Sequence, residues 1–384
     1  GRCEFCGANE KNYSGGANRE NYAYPFIHDN FEKEFGNMKF DVIIGNPPYQ
    51  LSDGLEGANF YRASAIYHLF IDKAIELNPR YVSMIVPSRW MTNTAEGISN
   101  EWTNNFINSG KIKSICDYED STKLFNQVLV RGGINYFLWD RNHNGKCEYE
   151  FHSENGDIKR KAMKLDSFNL GFVVRDLNAH SIIKKVNSKE DGYYKNQSTN
   201  FSDLVGPKHF FDKGKLLATN WREYKKEKCK TYNIKFYVSE HTNKVPYGWI
   251  KESDVPKNKK AINLHKIYIS AGGGIPRYGE PGSVCSETYL VIGYNHCLSK
   301  EEILNIMRYM STKFFRFLMG IKQKARSATR GVYQLIPLQD WSESWTDEKL
   351  YKKYNLTQDE IDYIESTTSS MDISNELNIA KDLN

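Results

Sequence analysis

Phe40 to Gln50 read FDVIIGNPPYQ. Val42, Ile43 and Ile44 form an unbroken β-branched run, the pattern of a strand buried on both faces. The run ends at Gly45, and Asn46-Pro47-Pro48-Tyr49 follows at once. Two consecutive prolines fix φ and remove two N–H donors, so this loop presents carbonyl oxygens rather than donors. In parallel α/β sheets, ligands bind beyond the carboxyl ends of the strands. The four residues after Gly45 therefore stand where chemistry is expected.

Outward from this stretch, strands alternate with amphipathic helices. Ala65 to Leu77 (AIYHLFIDKAIEL) spaces its apolar residues helically and stops at Asn78-Pro79. Tyr81 to Val86 is a second buried strand, ended by Pro87; Gly97 to Ser109 reads as helix and Lys111 to Tyr118 as strand. A Gly132-Gly133 step leads into the apolar strand INYFLW, ending at Trp139. Such alternation predicts an α/β fold, a mostly parallel Rossmann-like sheet covered on both faces. Beyond residue 150 the texture changes to short Tyr-, Lys- and Asn-rich segments, with strands expected at Ile234 to Val238 and Lys266 to Ser270. A helix is expected from Lys300 to Phe317, and short acidic helices or a frayed tail after Trp341. The expected division is 1–150, a catalytic part; 151–340, a mixed α/β reading domain; and 341–384, an acidic helical tail.

The loop residues suit one reaction. An exocyclic amine on a purine is a poor nucleophile because its lone pair is delocalised into the ring. The Asn46 side-chain oxygen and the Pro47 carbonyl can both accept its hydrogen bonds, placing the nitrogen and favouring the pyramidal geometry that frees the lone pair. Pro48 stiffens the turn, and Tyr49 offers a flat face on which an extruded base stacks. With a sulfonium methyl held in line, this is catalysis by positioning, without a strong base.

The totals are consistent with that reading. The chain has 384 residues, 14% of them aromatic, which suits a soluble protein of about two domains. No apolar run is long enough to span a bilayer, and no secretory leader is read. Seven scattered cysteines form no disulfide framework, so a cytoplasmic setting is expected. Cys3 and Cys6 have the spacing of half a zinc knuckle without a second half, and no metal is assigned. Residues 341–384 carry ten acidic and four basic side chains; with +5 overall, the first 340 residues hold +11. A basic body suits a polyanionic partner.

FDVIIGNPPYQ resembles the amino-methyltransferase motif of the gamma-type adenine-N6 DNA methyltransferases, in particular the Eco57I-like restriction–modification proteins. The likeness covers about residues 25–140, and 205–365 is similar to the C-terminal part of those proteins. It implies S-adenosylmethionine as cofactor, with Asp29 at its adenine and Phe70 packed on that adenine. It places Tyr136, which shares a strand face with Ile134, against the flipped target base. It also implies double-stranded DNA as partner, a target-recognition domain after residue 150, and a nuclease or helicase domain elsewhere in the parent protein; no nuclease motif is read in this chain. Basic and aromatic residues interleave in that domain, and Arg277, Tyr278, Lys322, Arg326 and Arg330 are the expected DNA contacts.

One part of the family pattern is missing. The FxGxG cofactor loop should precede Asp29, and nothing of that kind does. The later candidate, Ile267 to Gly279, runs into Pro276 and Pro281 rather than opening into a helix. Truncation upstream of Gly1 is therefore expected, with weak or no cofactor binding by this piece. Two other functions fit parts of the sequence: a non-catalytic DNA-specificity module, and an N-methyltransferase acting on RNA or on protein glutamine.

Overall fold

A computed structural model of the chain describes residues 24–27, 36, 38–50, 64–126, 128–238, 247–270, 273–322 and 329–383. The chain divides into two compact units, Gly1–Leu177 and Asn178–Asn384.

The first unit holds α1 (Tyr24–Ile27), β1 (Val42–Gly45), α2 (Tyr67–Glu76), β2 (Tyr81–Pro87), α3 (Asn100–Asn108), β3 (Ile112–Tyr118), β4 (Ile134–Asp140), β5 (Cys147–His152) and β6 (Ile158–Met163). Helix α2 buries Tyr67, Phe70, Ile71 and Ala74, one stripe at helical spacing. It ends where Asn78 turns left-handed (φ 55°) before Pro79. Helix α3 starts at Ser99, whose hydroxyl accepts the Trp102 N–H at 3.0 Å.

The strands form one sheet in the order β1-β2-β4-β3-β5-β6. Only β1 with β2 and β3 with β5 pair in parallel; β4 is antiparallel to both its neighbours, and β6 to β5. The sheet is thus mixed rather than mostly parallel. The reason lies at Gly132 and Gly133, both at φ 85°, which reverse the chain so that β4 enters between β2 and β3. The first unit also runs on past residue 150, because β5 straddles that position and its hairpin with β6 extends the same sheet.

One sheet face carries the core: Val82, Met84 and Val86 of β2, Ile115 of β3, Phe137 and Trp139 of β4, and Tyr149 and Phe151 of β5 pack with the buried stripe of α2. The opposite face carries Ile44 at 78% exposure, Val42 at 48% and Tyr136 at 42%. Among the described residues the sheet is therefore covered on one face where two were expected.

The second unit starts with α4 (Ala179–Lys189) and contains two three-stranded sheets. One runs β10-β9-β12, from Arg277–Gly279, Lys266–Ser270 and Tyr289–Ile292; the other runs β11-β7-β8, from Ser283–Cys285, Ile234–Tyr237 and Tyr247–Ile250. Phe211, Phe236, Ile250, Tyr268 and Val284 are among the residues of their shared core. Strand β9 is followed by β10, antiparallel to it, rather than by a helix. The helix expected over Lys300 to Phe317 is two helices, α5 (Lys300–Ser311) and α6 (Lys313–Lys322). Thr312 is extended (ψ 149°), its hydroxyl accepts the Phe315 N–H, and the Asp347 carboxylate accepts the Lys313 and Phe314 N–H groups. These acceptors satisfy a helix start in the middle of a continuous apolar periodicity.

The acidic segment folds into α7 (Asp347–Lys353), α8 (Gln358–Thr367) and α9 (Ser374–Asp382) and belongs to the second unit. Its carboxylates pair with that unit's cations: Glu360 with Lys185, Glu365 with Lys313, Glu376 with Arg277. No helix among the described residues is long and apolar enough to cross a membrane.

Candidate active site

The Asn46–Tyr49 loop leaves the carboxyl end of β1, as the sequence places it. Asn46 is exposed, Pro47 is buried, and Pro48 and Tyr49 are half-buried. The loop is pinned to the start of α2: the Tyr49 carbonyl accepts the Ile66 N–H at 3.2 Å, and Gln50 forms an antiparallel bridge with Ala65. Tyr49 turns into the core, edge-on to Tyr67 with ring centroids 6.4 Å apart. Burial pushes its hydroxyl up to about 12, so it stays protonated at neutral pH. The loop thus presents one exposed amide side chain on a stiff, anchored turn.

Around the loop, several polar atoms are buried without a hydrogen-bond partner among the described residues: Tyr49 Oη, His68 Nδ1, Arg89 Nε and Trp90 Nε1. The His68 and Trp90 rings both meet Trp102 edge-on. Each such atom costs about 1–3 kcal/mol unless water or a ligand satisfies it.

A second group lies at the carboxyl ends of β2 and β3, and the sequence reading missed it. Arg175 donates from Nε and Nη2 to both Asp117 oxygens, at 2.7 and 2.8 Å, and from Nη1 to the Gly132 carbonyl at 2.6 Å. Asp117 also accepts from Ser88 Oγ and Tyr149 Oη, each at 2.6 Å, and Asn135 Nδ2 donates to Ser88 Oγ at 3.1 Å. Asp117 and Arg175 are fully buried. The network ties the Ser88 turn after β2 to the glycine step before β4. Its sequence signal was a charge of opposite sign, Asp117 and Arg175, placed directly after the apolar residues of two short runs, IKSICDY and FVVRDL.

The other expected site residues are distributed as follows. Asp29 lies outside the described residues. Phe70 is 4% exposed and parallel to Phe26, centroids 6.1 Å apart, so it is core rather than a free platform. Tyr136 is exposed but points to the sheet face opposite Phe137 and Trp139, whereas Tyr49 packs toward those residues. The two rings are not brought together as a clamp. Tyr136 instead lies beside Tyr118, which stacks on His152 at 4.0 Å.

In the second unit, the expected DNA contacts are engaged internally. Tyr278 is 2% exposed and its hydroxyl meets His265 Nδ1 at 2.6 Å, which makes it a packing residue and corrects its reading as a surface contact. Arg277 pairs with Glu376 and lies over the Tyr237 ring. Lys322 donates to Gln334, and burial pushes its ammonium down to about 8. Arg330 donates to the Val205 carbonyl and to Tyr294. Arg326 lies outside the described residues. A run of exposed cations lies elsewhere, at Lys213, Lys215, Arg222, Lys225, Lys226, Lys228 and Lys230, with others such as Lys208, Lys259 and Lys260 also exposed. Aromatic rings interleave with them: Lys228 Nζ is 5.1 Å from the Trp249 ring and Lys225 Nζ 5.7 Å from that of Tyr232.

Comparison with known proteins fits this geometry. A Mycoplasma pneumoniae protein described as an uncharacterized adenine-specific methylase is 38% identical over 163 residues, 42% of this chain and 37% of that relative. The chain thus spans well under half of that relative's length. Among solved structures, the type IIG restriction endonuclease BpuSI aligns over 89% of this chain and 52% of its own, at 13% identity and a TM-score of 0.29. A chain of a type I R-M system aligns over 41% and 31%, at 17% identity and a TM-score of 0.22. Superpositions this loose carry no structural argument. Residues 3–125 match the family model of the Eco57I restriction-modification methylase, and the loop at the end of β1 lies within that match.

Proposed function

We propose that this chain supplies the catalytic loop and the target-reading part of an adenine-specific DNA methyltransferase of the restriction–modification type. The observation that carries the proposal is Asn46, exposed on an anchored Pro-Pro turn at the carboxyl end of β1, inside the matched domain. In this reading Asn46 Oδ1 and the Pro47 carbonyl accept the two hydrogens of the adenine N6 amine. The nitrogen lone pair is thereby drawn out of conjugation. Pro48 and the Ile66-to-Tyr49 hydrogen bond keep the loop from relaxing, so positioning is prepared before the base arrives.

S-adenosylmethionine is the proposed methyl donor. Phe70 does not fit as the platform for its adenine, because that ring is committed to the core. DNA is proposed to lie along the exposed basic segment 213–230, where cations and rings alternate, rather than at Lys322 and Arg330, whose donors are engaged.

The test is transfer of labelled methyl from S-adenosylmethionine to unmethylated duplex by the natural full-length protein, with the product nucleoside identified by mass spectrometry. N6-methyladenine is expected, abolished by Asn46→Ala with duplex binding retained. Retained turnover in Asn46→Ala, or methylation only of RNA or protein, overturns the proposal.

A further inference from the structure

We propose that His209, Asp212 and Glu287 bind a divalent first-row metal ion that joins the segment 206–220 to the turn between β11 and β12. Each side chain offers one ligand atom, and the three atoms lie within 4.8 Å of one another. His209 Nδ1 is 2.8 Å from Asp212 Oδ2 and 3.7 Å from Glu287 Oε2. Neighbouring ligands held about 2.1 Å from an octahedral ion stand about 3 Å apart. The two spacings bracket that value, and small side-chain rotations close the difference.

An independent observation points to a missing cation. Asp212 is 3% exposed, and its Oδ1 has no hydrogen-bond partner among the described residues. A buried carboxylate oxygen without a donor is costly, and a metal ion held by the same carboxylate whose Oδ2 faces His209 would offset that cost. The surroundings already orient the other ligands. Thr219 donates its N–H and its hydroxyl to Glu287 Oε1, at 3.1 and 2.8 Å, which leaves Oε2 facing the histidine. Lys257 donates to the His209 carbonyl, and Asn258 to that of Phe210 at 2.7 Å. The Thr219 donors are partners of the kind that fix ligand orientation in metal sites, while the other two bonds hold the backbone that carries His209.

One imidazole nitrogen and two carboxylate oxygens, without a thiolate, suit Mn²⁺ or a similar ion of moderate hardness. His209 is exposed, so water reaches the remaining coordination positions. Binding requires the imidazole neutral with its proton on Nε2, and any proton on Nδ1 is released to solvent. The Cys116, Glu150 and His152 trio of the first unit lacks the same signal, since Arg160 and His152 already occupy the Glu150 carboxylate.

Mn²⁺ is the probe, because the exposed thiols of Cys229 and Cys297 would capture softer ions. The chelator-stripped full chain is titrated with Mn²⁺, the free ion is followed by electron paramagnetic resonance, and thermal unfolding is measured in parallel. One ion per chain and a rise in melting temperature are expected. Asp212→Asn and Glu287→Gln should each weaken binding by about tenfold or more and remove the thermal shift. The half-buried Glu287 keeps the test valid if the Asp212 variant folds poorly. Absence of a saturable site overturns the proposal, as does Mn²⁺ binding left unchanged in Glu287→Gln. So does a spectrum in which His209 remains a fixed imidazolium between both carboxylates in excess Mn²⁺.

Discussion

Replacing Arg175 by Met removes one partner of a buried ion pair and leaves the other in place. Three guanidinium hydrogen bonds disappear, two to Asp117 and one to the Gly132 carbonyl. Asp117 keeps Ser88 Oγ and Tyr149 Oη as donors but loses its counter-charge with no access to water. Breaking a buried pair in this way costs about 3–5 kcal/mol, against about 5–15 kcal/mol for a whole domain. Urea unfolding of the first unit, followed through Trp90, Trp102 and Trp139, should register a loss of that size. Hydrogen exchange localises it: amides of 112–118 and 134–140 should lose protection while the second unit is unchanged. Adding Asp117→Asn removes the stranded charge, so the double variant should lose clearly less than the sum of the two single losses. A loss below about 1 kcal/mol for Arg175→Met, the range of exposed pairs, would refute the reasoning. Strict additivity in the cycle would refute it equally.

Further outcomes are expected from the same physical arguments. Gly133→Ala should destabilise the first unit by about 1–3 kcal/mol in the same urea assay, because φ is 85° and the new Cβ would stand 2.2 Å from the Tyr118 carbonyl oxygen. Burial pushes the Lys266 ammonium from 10.5 down to about 7. The unfolded chain then binds the extra proton between those values, so stability should rise with pH across that window and be lost as pH falls through about 7. Subtracting the Lys266→Met pH profile should isolate a slope of at most about 1.4 kcal/mol per pH unit. Alanine at Lys225, Lys226, Lys228 and Lys230 together should lower duplex affinity and reduce the slope of log K against log salt by up to about 4.

What was legible in the sequence was local. The DVIIG strand, the Asn46 loop, the stripe of α2 and the apolar β4 are each written in consecutive residues, and each is where the sequence puts it. What was not legible depends on distant partners. Nothing in INYFLW states that it inserts antiparallel between β2 and β3; that follows from the reversal at Gly132 and Gly133. The apolar period of α5 runs on into α6, yet the Asp347 carboxylate, more than thirty residues away, supplies acceptors that let a new helix start at Lys313. Basic residues read as DNA contacts illustrate the same limit. Arg277 and Arg330 are cations in the sequence, and only the fold shows that Glu376 and the Val205 carbonyl hold them.

The same distinction bears on how the proposed catalytic loop would work. A loop that acts by positioning needs walls that do not yield, and among the described residues the Asn46 turn is held locally by the packing of Tyr49 and by backbone bonds to the residues that lead into α2. Its parent strand β1 pairs with β2, and β2 continues into the Ser88 turn that Asp117 holds through Ser88 Oγ. Asp117 is in turn fixed by Arg175, which also grips the glycine step before β4. The buried charge pair therefore secures the ends of three adjacent strands on the side of the sheet from which the loop emerges. An apolar replacement of the pair would fill the space but hold neither the Ser88 hydroxyl nor the Gly132 carbonyl. A double variant that recovers stability should for this reason still show impaired methyl transfer, and full activity in such a variant would sever the link between the network and the loop.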